Sequence, residues 1–182
     1  MGTVANTQRV YDELLVTLFI GGDRQAGERL AKRWHPRLLR AARRMLGDAD
    51  LAQSAAQQSW VAIIGGIGSL SDPARFAPWT FAILRRKCAD AIRGEQVRRQ
   101  RAGAVEPDEL PAAGSPGDDA LAVNQAIATL PDDQRLAAHL FYVEGFTLAE
   151  IAEVQGVPQG TAKTRLFHAR RKLKAALSGD VT

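Results

Sequence analysis

The residues of this chain best equipped for chemistry are cations and hydrogen-bonding side chains gathered in one stretch, from Gln159 to Lys174. Lys163, Arg165, Arg170, Arg171, Lys172 and Lys174 lie there with no acid among them. Ammonium and guanidinium groups at that density bind phosphates, while amide, hydroxyl and guanidinium groups can address base edges. Covalent chemistry has no comparable support. His35, His139 and His168 are scattered without metal-ligand spacing, and neither a phosphate-cradling glycine loop nor a nucleophile elbow occurs. Gly65-Gly66-Ile67-Gly68 lacks the strand context of a nucleotide site. No catalytic residue, cofactor site or metal site is expected. Cys88 is the single cysteine, which excludes an intrachain disulfide and a cysteine-cluster zinc site and suits a reducing cytoplasm.

A helix must position these cations. At 100° per residue, Ala162, Leu166, Ala169, Leu173 and Leu177 share one side, and Gly160, Thr164, His168 and Arg171 the other. Lys163, Arg170 and Lys174 line one shoulder; Thr161, Arg165 and Lys172 line the opposite one. Ahead of this helix, Thr147-Leu148-Ala149-Glu150 has the form of a capping box. Leu148, Ile151 and Ala152 give a short apolar face, Gly156 permits a sharp turn, and Pro158 opens the next helix. A short helix, a glycine-bearing turn and a longer basic helix predict a helix-turn-helix. Gln159, Thr161, Thr164, Arg165 and His168 are then placed for base or near-base contact; Lys163, Arg170, Arg171 and Lys174 are placed for phosphates. Phe167 sits near the exposed side, where touching a thymine methyl and covering a neighbouring helix are both open.

The remaining elements are helical as well. Aromatic content is 6% and alanine, leucine and arginine are plentiful, which favours packed helices over a sheet. Leu14 to Ile20 is too short to span a bilayer and reads as a buried helix face, so no membrane insertion is expected. Helices are predicted from about Gln25 to Met45, from Asp48 or Asp50 to about Ile64, and from about Ala77 to near Arg101, with Gly65 to Phe76 a loop. Phe81, Leu84, Cys88, Ala91 and Ile92 form the buried stripe of the last, with Trp79 and Ile83 elsewhere and Trp79 more a core residue than a stacking platform. Arg85 to Arg101 carries seven basic residues (Arg85, Arg86, Lys87, Arg93, Arg98, Arg99, Arg101) against Asp90 and Glu95. The following stretch holds Glu106, Asp108, Glu109, Asp118 and Asp119 and no base, and reads as a flexible acidic linker. Two basic helical regions flanking an acidic spacer suggest polyanion contact at two places. Beyond it, Leu121, Ile127 and Leu130 begin a second unit in which Leu136, Leu140 and Phe141 face the core.

The run Leu130-Pro131 to Arg135, then Glu144 to Ala152, then Gly156 to Leu166 resembles region four of extracytoplasmic-function (ECF) sigma factors. Leu46-Gly47-Asp48, Ala52 to Trp60, Phe76-Ala77-Pro78-Trp79 and Ala89 to Arg93 resemble that family's region two. The resemblance implies an all-α chain of two small helical domains: an N-terminal segment 1–23, region two at 24–101, a linker at 102–119 and region four at 120–178. It implies a non-catalytic, cytoplasmic specificity subunit that binds core RNA polymerase, directs it to double-stranded promoter DNA and helps hold the melted single strand. Region four would read the upstream, minus-thirty-five element. Ser71, Asp72, Phe76, Arg85, Arg86, Lys87 and Arg93 correspond to the minus-ten reader. Gln53, Ser54, Gln57, Gln58, Trp60 and Val61 correspond to the face that docks on core polymerase, although relatives usually carry acids where Gln53, Ser54 and Gln58 stand. An anti-sigma factor is the further partner implied. A stand-alone helix-turn-helix regulator is the competing function, and it leaves the N-terminal motifs unexplained.

Overall fold

The computed structural model describes residues 2–102, 126, 127 and 129–177. Among them the chain is all α: α1 Gly2–Ile20, α2 Arg24–Leu46, α3 Ala49–Gly66, α4 Phe76–Ala102, α5 Asp132–Tyr142, α6 Leu148–Gln155 and α7 Gln159–Leu177. Most of the expected linker, Leu121 and residue 178 lie outside the described residues.

Local sequence sets the helix ends. The Asp23 carboxylate accepts from the amides of Gln25 and Ala26 at 2.8 and 3.1 Å, opening α2. Asp48 rather than Asp50 caps α3, accepting from Leu51 N at 2.8 Å. Between them Gly47 closes α2 at φ 69°, a left-handed conformation that glycine takes without steric cost. The loop expected from Gly65 to Phe76 is more ordered than its composition suggests. Helix α3 continues to Gly66, and 3-10 turns follow at Ile67–Ser69 and Pro73–Arg75. Ile67 is buried, and the Ser69 hydroxyl donates to Gly66 O at 2.7 Å. Burial and a local hydrogen bond thus supply the order that glycine removes.

Trp34 is the centre of the N-terminal core, edge-on to Phe76 at 5.0 Å and to Phe81 at 6.3 Å. Two expectations about faces need correcting. Helix α1 turns Asp12, Leu15 and Val16 inward and leaves Val10, Leu14 and Leu18 exposed. On the inward side Arg33 donates to Asp12 at 2.8 Å. Helix α1 also approaches α2 closely, where a Cβ on Gly27 would fall 2.6 Å from the Phe19 ring. On α4, Phe81, Leu84 and Cys88 are buried as expected, but so is Ile83, whereas Ala91 is half-buried and Ile92 exposed. This helix packs against α2, α3 and α6, so its buried arc is wide along that length and lapses beyond Cys88.

The C-terminal unit packs α5, α6 and α7 around Leu136, Leu140, Ile151, Ala162, Leu166, Ala169 and Leu173. Phe141 is half-buried against the core, and the Leu177 side chain lies outside those described. This unit is not separate from the first. One apolar cluster runs from Trp34 and Phe81 into Leu140, Phe146 and Ile151, with the Phe146 ring edge-on to Phe81 at 5.3 Å.

Candidate nucleic-acid interface

The helix-turn-helix is built as its residues dictate. Thr147 N donates to Glu150 Oε2 at 2.7 Å and Glu150 N donates to Thr147 Oγ1 at 3.3 Å, so the capping box closes in both directions. Gly156 turns the chain at φ 63° into α7. With Ala162, Leu166 and Ala169 buried, the opposite side of α7 stands in solvent: Gln159, Thr161, Lys163, Thr164, Arg170, Arg171 and Lys174 are all exposed, and His168 is half-buried. Phe167 is exposed too.

Two of the expected contact residues are already engaged. Arg165 is half-buried, with Nη2 2.6 Å from Asp133 Oδ2 and Nη1 donating to Gln155 Oε1 at 3.1 Å. Buried Gln155 in turn donates to Asp133 O at 2.8 Å, so one guanidinium ties α7 to both preceding helices. Arg170 donates through Nε to the Tyr142 hydroxyl at 2.8 Å and lies 4.9 Å over the Phe141 ring. Tyr142 gave no sequence signal, because its role depends on α5 ending beside α7.

The second basic surface is less uniform. Ser71, Asp72, Arg86 and Arg93 are exposed, and Arg85 and Lys87 half-buried. Asp72 accepts from Ala74 N at 3.0 Å and so caps the turn before α4. Phe76 is the exception. It is 2% exposed, seated against Trp34, which removes it from any DNA-facing surface while the core is intact. Trp79 is half-buried on Phe76 and Gly66, as a core residue should be. Glu95 pairs with both Arg98 and Arg99, and Asp90 with Arg93, so several α4 cations are partly neutralised along the helix. Sequence reasoning missed Arg75, exposed beside this surface and paired with Glu153 Oε2 at 2.6 Å.

On α3, Ser54, Gln57, Gln58 and Val61 are exposed and Gln53 and Trp60 half-buried. Gln58 donates to Ser54 Oγ at 3.2 Å. Val61 is 74% exposed and Ile64 59%, so an amide-rich face borders two uncovered aliphatic side chains. That composition suits a protein interface. No helix among the described residues is long and apolar enough to cross a membrane.

Comparison with known proteins bears directly on these surfaces. Residues 30–98 match the Sigma-70 region 2 family and residues 120–173 the Sigma-70, region 4 family. The chain is 31% identical over 170 residues to the ECF RNA polymerase sigma factor SigM of Mycobacterium tuberculosis, covering 91% of this chain and 84% of that one. The chain belongs to the ECF sigma factors.

A second relative of this sigma factor is SigW of Bacillus subtilis, 26% identical over 170 residues and covering 86% of this chain and 91% of that one. In fold it resembles the sigma factor RpoE of Bartonella quintana, solved with the anti-sigma factor NepR, at a TM-score of 0.70 and 24% identity over 84% of this chain and 97% of that one. Its activity follows from its family. It is not an enzyme; it binds core RNA polymerase and directs it to promoters at initiation.

In this sigma factor the region-four unit is fastened to region two by polar contacts. Arg37 donates from Nε and Nη2 to one oxygen of Glu144, at 2.9 and 2.7 Å, and lies 4.0 Å over the Trp34 ring. The other Glu144 oxygen is 3.4 Å from His139 Nε2, and His139 Nδ1 is 2.7 Å from Arg44 Nη1. Arg9 donates to Gly145 O at 3.2 Å and lies 3.5 Å from Glu150. Burial pulls the Glu144 carboxyl upward, but the His139 ring and the Arg37 guanidinium together hold it below the usual carboxylate value. For Arg44, burial and then Arg40 weaken the hold on its proton, with Glu144 opposing.

Proposed function

We propose that α7 reads the upstream promoter element through Gln159, Thr161, Thr164 and His168, with Lys163, Arg170, Arg171 and Lys174 on the phosphate backbone, and that Arg165, held by Asp133 and Gln155, is withdrawn from the base-reading set. Ser71, Asp72, Arg85, Arg86, Lys87 and Arg93 form the minus-ten surface, to which Arg75 is added and from which Phe76 is withdrawn. The face of α3 carrying Gln53, Ser54, Gln57, Gln58, Trp60 and Val61 docks on core polymerase. Units 24–101 and 120–178 are the two recognition domains, joined by 102–119, and the protein works in the cytoplasm. An anti-sigma factor is its negative partner; the complex of RpoE with NepR is a precedent of the same fold.

The observation that carries this reading is the split of α7 into a buried stripe of Ala162, Leu166 and Ala169 and an exposed face of polar and cationic groups. Only the exposed face is left for a partner, and its chemistry is that of a major-groove reader flanked by phosphate ligands. The test is run-off transcription with core polymerase on source-genome fragments. Discrete transcripts that require the protein, and vanish with Lys163→Ala plus Arg171→Ala, are expected. DNA binding by the chain alone with no transcript from core polymerase would instead favour a stand-alone regulator.

A further inference from the structure

Arg33, Arg37, Arg75 and Arg165 each meet a carboxylate, at 2.6 to 2.8 Å. Arg170 is also tied down, but by neutral groups. Its Nε donates to the Tyr142 hydroxyl at 2.8 Å, and its guanidinium carbon lies 4.9 Å from the Phe141 ring centre and 5.8 Å from that of Tyr142. Among the described residues no carboxylate joins it, so its charge is left for an anion from outside. With Nε engaged, the two Nη groups still present a planar pair of donors, an edge that suits a phosphate. The hydrogen bond and the ring contacts together fix the plane in which that edge points.

The Tyr142 hydroxyl is only half used by this contact. A phenol oxygen that accepts one hydrogen bond still has its own hydrogen to give. Because the oxygen faces Arg170 Nε, that hydrogen is directed away from the guanidinium, and among the described residues it reaches no acceptor. Tyr142 is 51% exposed, so the core does not close the hydroxyl off. Its ring stands edge-on to Phe141 at 5.1 Å, and Phe141 itself packs against the core. A fixed, solvent-facing donor therefore stands beside a cation that has no counter-charge. The fold sets this position, since Tyr142 is the last residue of α5 and lies 28 positions before Arg170. On α7, Arg170 shares a shoulder with Lys163 and Lys174, both exposed, so the hydroxyl extends a cationic row rather than the base-reading face.

We propose that Tyr142 is a DNA phosphate ligand: its hydroxyl donates to one oxygen of an upstream-element phosphate while the Nη groups of Arg170 donate to another oxygen of the same phosphate. The guanidinium supplies charge and the hydroxyl supplies direction. The proposal rests on α7 being the reader of that element, and it adds a residue that precedes the helix-turn-helix.

The test uses holoenzyme, the full-length protein on core polymerase, bound to a promoter fragment identified by run-off transcription. Each upstream phosphate in turn is replaced by a neutral methylphosphonate, and affinity is measured for the unaltered protein, Tyr142→Phe and Arg170→Ala. Phenylalanine keeps the ring beside Phe141 and Arg170, so thermal melting should be unchanged and only the hydroxyl is lost. Tyr142→Phe should weaken binding to the native fragment about fivefold, the scale of one exposed hydrogen bond. The slope of log affinity against log salt should stay in place, because no charge is removed. Arg170→Ala should weaken binding further and lower that slope by about 1. One phosphate should stand out: neutralising it should cost the unaltered protein several-fold more than it costs either variant. Unchanged affinity in Tyr142→Phe, or penalties at every phosphate equal to those of the unaltered protein, would overturn the proposal, and a slope change in Arg170→Ala would then leave the reading of α7 intact. If no upstream phosphate matters to the unaltered protein, the reading of α7 fails and the proposal falls with it.

Discussion

Arg165 Nη2 lies 2.6 Å from Asp133 Oδ2, and the same guanidinium donates to buried Gln155, so a residue on the recognition helix is spent inside its own domain. Arg165→Ala should therefore lower the thermal stability of the region-four unit by about 1 to 2 kcal/mol. The buried amide left without its partner supplies most of that cost; the half-exposed pair with Asp133 supplies little. Arg165→Lys, which keeps a cationic donor of similar length, should restore most of the stability. Differential melting of the two variants decides this.

Phosphate contacts should show in the salt dependence of binding. Removing the exposed cation at Lys163, Arg171 or Lys174 should weaken binding to every sequence alike. Each change should also lower the slope of log affinity against log salt by about 1. Thr161→Ala, by contrast, should alter preference among promoter sequences while leaving that slope in place. A titration series on matched duplexes at several salt concentrations separates the two classes.

The Phe146 ring, 2% exposed and edge-on to Phe81, should be the largest single apolar contribution between the two units. Phe146→Ala should cost about 3 to 5 kcal/mol, and Phe146→Leu much less, because leucine fills more of the space. Denaturant unfolding of the whole chain reads this directly. Equal losses for the two variants would mean that the ring does not pack as observed.

Stability should also depend on acidity in a definite direction. The Glu144 carboxyl is held below its ordinary value of 4.5, against burial, by His139 and Arg37. A group depressed in the folded form contributes stability above its ordinary value and loses that contribution as pH falls through the depressed one. Asp12 and Arg33 adjoin Arg37, and Arg40 adjoins Arg44, so Glu144→Gln is the reference that isolates this titration. Denaturant unfolding of both proteins across acidic pH should give stabilities that differ most above the usual carboxylate range and converge below it.

The parts of this protein that its sequence determined are those where cause and effect lie within a few residues. Thr147 and Glu150 meet because they are three apart at a helix start, and Gly156 turns the chain because only glycine adopts that φ freely. The buried stripe of α7 follows from helical periodicity through Leu173. Periodicity names a helix face but not its neighbour, and there the tertiary structure decided. Val10, Leu14 and Leu18 share a stripe as good as any, yet Leu15 and Val16 are the residues buried, on the side where Asp12 meets Arg33. Phe76 has the chemistry of a base-stacking ring, but Trp34 offers it a dry, edge-on partner. Arg37 and Glu144 are 107 positions apart, and a contact at that separation leaves no local pattern. It exists because packing Phe146 against Phe81 brings the buried Glu144 carboxylate up to the half-buried Arg37 guanidinium.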